Sequence, residues 1–154
     1  MIRALLAATA VLGLVTVAAA QQSDPAGAVA AGDPIAARKA LMKENGAATA
    51  LGAKYVKGEE TFDLAKARGI LDVYARTAVE GPKDFPATSK TGGQTTAAPA
   101  IWEKMDEFKG RFEAWGRDIE KAKADVKDLD TFKAAFPTLT RSCGGCHQNF
   151  RQRT

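Results

Sequence analysis

One histidine is all that this chain of 154 residues contains, beside two cysteines and three methionines. A pair of histidines gripping one metal is therefore excluded within a single chain. Runs of β-branched residues are also scarce, which argues against a sheet. Beyond residue 17 no apolar run approaches the roughly 20 residues a membrane-spanning helix needs. No basic stripe is interleaved with aromatics, so nucleic acid is not an expected partner. The net charge is small, +4, with both signs spread along the chain. What the sequence does have is alanine, lysine, glutamate and leucine in helical spacing, and a single dense cluster of soft ligands.

The N-terminus, "MIRALLAATAVLGLVTVAAAQQ", joins one positive residue, Arg3, to an apolar run from Ala4 to Val17 and a small-residue flank at Ala18–Ala20. That order predicts a secretory signal peptide over residues 1–20, cleaved after Ala20. The run is too short for a membrane anchor, so no membrane span is expected after processing. Residues 21–32 read as a flexible segment and 33–154 as one domain, a length that suits a single core.

Four amphipathic segments follow. Asp33 before Pro34 predicts a cap and first helical residue, with a helix to about Val56 and Leu41, Ala48, Gly52 and Tyr55 on one face. "KGEET" at Lys57–Thr61 interrupts it. A second helix is predicted over Phe62–Val79, burying Leu64, Leu71, Tyr74 and Ala78. The proline- and glycine-bearing stretch after it reads as a long connection. Ile101, Met105, Phe108, Phe112, Trp115, Ile119, Ala122 and Val126 then step by fours and threes without a break. So do Leu129, Phe132, Phe136, Leu139, Cys143, Cys146 and Phe150, with Asp128 or Asp130 as cap. Pro137 should bend or delay that last helix. Two tightly joined helix pairs with a long link between them predict an all-α, antiparallel four-helix bundle.

Both cysteines and the histidine fall within five positions, Cys143-Gly-Gly-Cys146-His147. C-x-x-C-H is the attachment signature of c-type haem. Residues three and four apart share a helix face. Cys143 and Cys146 can each bond one vinyl group there, and His147 can reach the iron. The two glycines leave room for the macrocycle. Three other fates are weaker. A redox disulfide of the thioredoxin kind wants a βαβ setting. A closed zinc site wants four protein ligands. A structural disulfide between i and i+3 in a helix is geometrically poor. One covalently attached haem c, filling the core of the bundle, is the expected cofactor.

With one histidine, the second protein ligand to a cytochrome iron would be methionine. Met1 leaves with the leader, so Met42 and Met105 remain. The seam of the third helix accounts for Met105 as core. For Met42, on the first helix, packing and ligation both stand open, as does an empty sixth position.

The chain resembles the class II cytochromes c, the cytochrome c′ family, over most of its length, from about Pro34 to Arg151. "CGGCHQNFR" is similar to the family's C-terminal motif, "PAIW" at Pro99–Trp102 to the start of its third helix, and "FP" at Phe85–Pro86 to its loop. Arg38 matches the family's basic residue on the first helix, and Met42, four later, the residue over the distal face. "LMKENG" at Leu41–Gly46 looks most like the low-spin members, which ligate methionine at that position. The resemblance thus implies His147 and Met42 as axial ligands, and Arg38, Phe85, Trp102 and Arg151 as haem contacts. Its high-spin members imply a homodimer through the first two helices.

The function expected is transfer of single electrons in the bacterial periplasm, between redox partner proteins, through a His/Met-ligated haem. Arg141, Arg151 and Arg153 would favour an acidic partner or the haem propionates. The alternative is a high-spin, five-coordinate cytochrome c′ that binds nitric oxide or carbon monoxide. A peroxidase-like enzyme would want a distal base, usually histidine, and no second histidine exists, so no enzyme is expected.

Overall fold

A computed structural model describes residues 32–152. The predicted leader, the segment after it up to residue 31, and Arg153 lie outside the described residues. The helices, in chain order, are α1 (Pro34–Lys57), α2 (Leu64–Glu80), a short α3 (Ala100–Glu103), α4 (Met105–Asp125) and α5 (Leu129–Phe150). α2 packs on α1 and α4, and α5 packs on α4 and α1, closing a ring of four long helices. Among the described residues no helix is long and apolar enough to cross a membrane.

The boundaries follow from local chemistry. Asp33 caps α1, its carboxylate accepting from the amides of Ile35 and Ala36, with Pro34 at the first position. Gly58, at φ 74°, ends it in the left-handed conformation that glycine adopts without strain. Asp63 caps α2 and moves its start two residues past the predicted Phe62. Asp128 caps α5 in a reciprocal pair with Thr131.

Two sequence expectations are corrected. The unbroken seam from Ile101 to Val126 is split at Lys104, whose φ of −128° and ψ of 47° are not helical. Lys104 still donates to Ala100 and accepts from Phe108, so the backbone bonds survive the turn. The cause lies in tertiary structure: Trp102 Nε1 donates to the carbonyls of Phe85 (3.0 Å) and Pro86 (3.2 Å), which ties α3 to the preceding connection. Of the bend or delay expected at Pro137, the delay is absent: α5 is helical on both sides of it. Its ring is exposed.

The long connection is also more ordered than its composition suggests, with 3₁₀ turns at Gly81–Asp84 and Ala87–Ser89. Residues 96–98 pair with the tail after α5: Ala98 donates to Phe150 and Gln152 donates to Thr96.

Two aromatic groups fill the core. At one end of the bundle Tyr55, Phe62, Phe132 and Phe136 meet at ring separations of 5.2–6.0 Å. There Gly52 lets α1 approach α5, since a Cβ at that position would collide with the Phe136 ring. Towards the other end Phe85, Phe108, Phe112 and Phe150 form a second chain at 4.7–5.3 Å. Tyr74 and Trp115, 5.3 Å apart, lie between α2 and α4. Tyr74 is fully buried, and burying such a side chain stabilises the fold by about 1.5–3 kcal/mol. The C-x-x-C-H motif belongs to the Phe150 end.

Candidate haem site

Cys143, Cys146 and His147 stand on the last two turns of α5. Both thiols are free and half-buried, and both pack against the core. Cys143 Sγ donates to the Leu139 carbonyl at 3.5 Å. Trp115 Nε1 donates to that same oxygen at 3.2 Å, so the indole is seated beside the first cysteine. Burial pushes both thiols above their ordinary pKa, an effect the Arg111 cation opposes at Cys146. His147 is exposed by area, but its neighbours desolvate the ring. That desolvation, and then the Arg151 charge, hold its imidazole below the usual histidine value. A neutral imidazole keeps a lone pair free for a metal.

Gly144 and Gly145 test whether the site fits a flat macrocycle. A Cβ on either would meet nothing within 4 Å among the described residues. The protein's own packing therefore does not call for glycine there, unlike at Gly52 or at Gly81, where a Cβ would press 2.8 Å from Phe112. Two core-facing thiols one helical turn apart, an adjacent neutral imidazole and an open backbone between them fit a haem bound through two thioethers.

On α1, Arg38 and Asn45 are buried at 5% and 8% exposure, while Met42 between them is 38% exposed. The three share one face of the helix. Met105, which the seam assigned to the core, is half-buried and packs against it.

The four residues expected as haem contacts separate into two groups. Arg38, Phe85 and Trp102 form one cluster. The Arg38 guanidinium lies 4.8 Å from the Phe85 ring centre and 6.0 Å from that of Trp102. It donates to the carbonyls of Asp84 and Ser89 and to the hydroxyls of Ser89 and Thr95, at 2.8–3.1 Å. Arg38 is thus the hub on which the long connection folds. Desolvation lowers its pKa, with Asp84 and Asp33 opposing. Arg151 lies apart from this group. It is exposed at the end of α5, near His147, in the bridge to Ala97. Arg141 is exposed as well.

The site also holds polar contacts that the sequence pattern did not pair. Asn45 donates to Thr77 on α2. Tyr74 and Thr49 share a hydrogen bond of 2.6 Å. Burial raises the Tyr74 pKa to about 12, and Cys143 lies close enough to add to that rise. Only the i, i+7 spacing of Arg38, Asn45 and Gly52 hinted at a buried stripe containing Asn45.

A family model described as cytochrome C′ matches residues 33–151. The chain belongs to the cytochrome c′ family. It is 40% identical over 124 residues to a cytochrome c′ of Rhodopseudomonas palustris, covering 80% of this chain and 85% of that one. It is 36% identical over 127 residues to a cytochrome c-556 of Agrobacterium fabrum, covering 82% and 86%. Among solved structures, cytochrome c′ from R. palustris superposes with a TM-score of 0.76 at 38% identity, over 79% of this chain and 98% of that one. Membership establishes the antiparallel four-helix bundle as a cytochrome c′ fold and covalently attached haem c as the cofactor. The similar proteins are named both cytochrome c′ and cytochrome c-556, and neither name is that of a conventional enzyme.

Proposed function

We propose that this protein carries single electrons through a haem held by Cys143 and Cys146 and ligated by His147 and Met42. Each thiol would add across a vinyl group, its sulfur bonding to carbon and its hydrogen passing to the neighbouring carbon. Bound haem supplies an iron that changes charge by one electron. His147 would offer its neutral nitrogen on one side and Met42 its thioether sulfur on the other. A thioether favours the reduced metal and so raises the potential. Phe85, Phe108, Phe112 and Phe150 would exclude water, and two fixed protein ligands would limit rearrangement between oxidation states. A peroxidase-like haem would want a second histidine as distal base, and the chain has one histidine in all, so the protein is read as a carrier and not an enzyme.

The observation that carries the reading is the placement of Met42: an accessible methionine on the core-facing stripe of α1, between two buried residues. The second reading, a five-coordinate haem that binds nitric oxide or carbon monoxide, draws support from the 40% identity to a protein named cytochrome c′. Residues 1–20 are read as a cleaved leader, 21–32 as a flexible segment and 33–154 as the working domain. The protein would act in the periplasm on partners with acidic faces, which Arg141 and Arg151 would attract. A homodimer through α1 and α2 belongs to the second reading.

Optical spectra of the holoprotein and of Met42→Leu test the choice, with and without carbon monoxide. The expected result is a low-spin reduced spectrum that carbon monoxide scarcely changes, with a weak far-red methionine–iron band when oxidised. Met42→Leu should lose that band and bind carbon monoxide readily. A high-spin wild type that already binds carbon monoxide would replace electron transfer with gas binding.

A further inference from the structure

We propose that Asn45, braced by Thr77, is a positioning residue that sets the reach of Met42 to the iron. The inference rests on the reading of Met42 as a ligand. Asn45 Nδ2 donates to the Leu41 carbonyl at 3.0 Å and to Thr77 Oγ1 at 2.8 Å. Thr77, fully buried on α2, in turn donates to the Val73 carbonyl at 3.0 Å. The Leu41 carbonyl belongs to the peptide that joins Leu41 to Met42. One amide therefore couples the backbone entering Met42 to the neighbouring helix.

Backbone control matters here because the side chain has little else to hold it. Met42 is 38% exposed, and methionine is unbranched with three rotatable bonds. Where its sulfur can reach is set by where α1 holds its Cα. The two buried residues flanking it on the stripe supply that hold, Arg38 from the long connection and Asn45 from α2.

The brace also comes at a cost that stability alone does not explain. Asparagine is a poor residue for a helix interior. Its Oδ1 is buried with no hydrogen-bond partner among the described residues, a loss that a leucine there would avoid.

The test compares holoprotein spectra and carbon monoxide binding for wild type, Asn45→Leu, Thr77→Val and Thr77→Ser. Ile119→Val, in the core of α4, controls for lost stability, and urea unfolding is measured for each. The wild type should show the far-red band. Asn45→Leu and Thr77→Val should lose at least half of it, and their reduced forms should bind carbon monoxide about tenfold more tightly. Tenfold is about 1.4 kcal/mol, the scale of one net hydrogen bond. Thr77→Ser, which keeps the hydroxyl, should restore both readings, and Ile119→Val should leave them unchanged. If Asn45→Leu fails to fold, the shape-preserving Thr77→Val decides. A lowered urea midpoint in these variants with the band and carbon monoxide affinity unchanged would overturn the proposal while leaving Met42 a ligand. A wild type without the band would overturn the ligand reading itself, and the brace with it.

Discussion

Replacing Arg38 with methionine should be among the costliest single changes in the molecule. The new side chain has a comparable reach but no donor. It removes four hydrogen bonds that gather Asp84, Ser89 and Thr95 around one guanidinium. Hydrogen bonds to charged groups are worth about 1.5–3 kcal/mol each. Four of them added naively would rival the whole stability of a domain, about 5–15 kcal/mol. Two effects reduce the sum. The bonds share one side chain and so do not add, and burial of the cation, felt in its lowered pKa, opposes them. The substitution leaves the Asp84 and Ser89 carbonyls and two hydroxyls without their donor; a buried unsatisfied group costs about 1–3 kcal/mol, and a total of about 3–5 kcal/mol is the expected loss. For a domain of this size it corresponds to roughly 10–20 °C in Tm. Arg38→Lys should lose about half as much, because an ammonium cannot present the planar fork that spans three residues. Urea unfolding of the holoprotein followed by circular dichroism gives the number. Trypsin supplies a second reading, since Lys90 should become a fast cleavage site once the connection loosens. A loss below about 1 kcal/mol, typical of an exposed ion pair, would refute the description of Arg38 as a hub.

Glycines should divide by what surrounds them. Gly52→Ala must push the Phe136 ring and should cost about 1–3 kcal/mol despite the better helix former. Gly69→Ala and Gly110→Ala, which meet nothing, should instead stabilise by up to about 1 kcal/mol; equal effects at all three in thermal melts would refute the close approach of α1 and α5. Tyr74 should contribute to alkaline unfolding. Its folded pKa of about 12 stands above the ordinary 10, so its contribution is complete below pH 10 and is lost as pH rises towards 12. Tyr74→Phe should flatten the fall in stability over that window, and an unchanged profile would show that the phenol is not held neutral by the fold.

The sequence was most legible where chemistry is local. Asp33 with Pro34, Asp128 with its helix, and Cys143 to His147 all act through neighbours a turn or less away, so spacing alone placed them. The split at Lys104 was hidden because hydrophobic phase continues across it. Its cause is the bond from Trp102 to residues 16 and 17 positions earlier, which no periodicity records. Arg38 was legible only through the family resemblance, as a haem contact, and spacing alone did not place Asn45. Their partners lie 46–57 and 32 positions away, so burial became visible only with the fold. Leu64 and Ala78, expected in the core of α2, are half-buried, while Ala67, Ile70 and Thr77 took the fully enclosed places. The later start of α2 at Leu64, and a Thr77 whose hydroxyl is paired, account for the difference.

The contact of Gly52 with α5 gives α1 a fulcrum. The helix is a stiff rod rising about 1.5 Å per residue, so Arg38 stands some 21 Å from that pivot and Met42 about 15 Å. The long connection holds the far end of the lever through Arg38. A sideways displacement of a few tenths of an ångström there is delivered at position 42 scaled by about seven-tenths, in the same direction. Substitutions in residues 84–95, some 40 positions or more from Met42 in the chain, can thus shift where α1 holds that side chain, a remote adjustment made through the backbone alone.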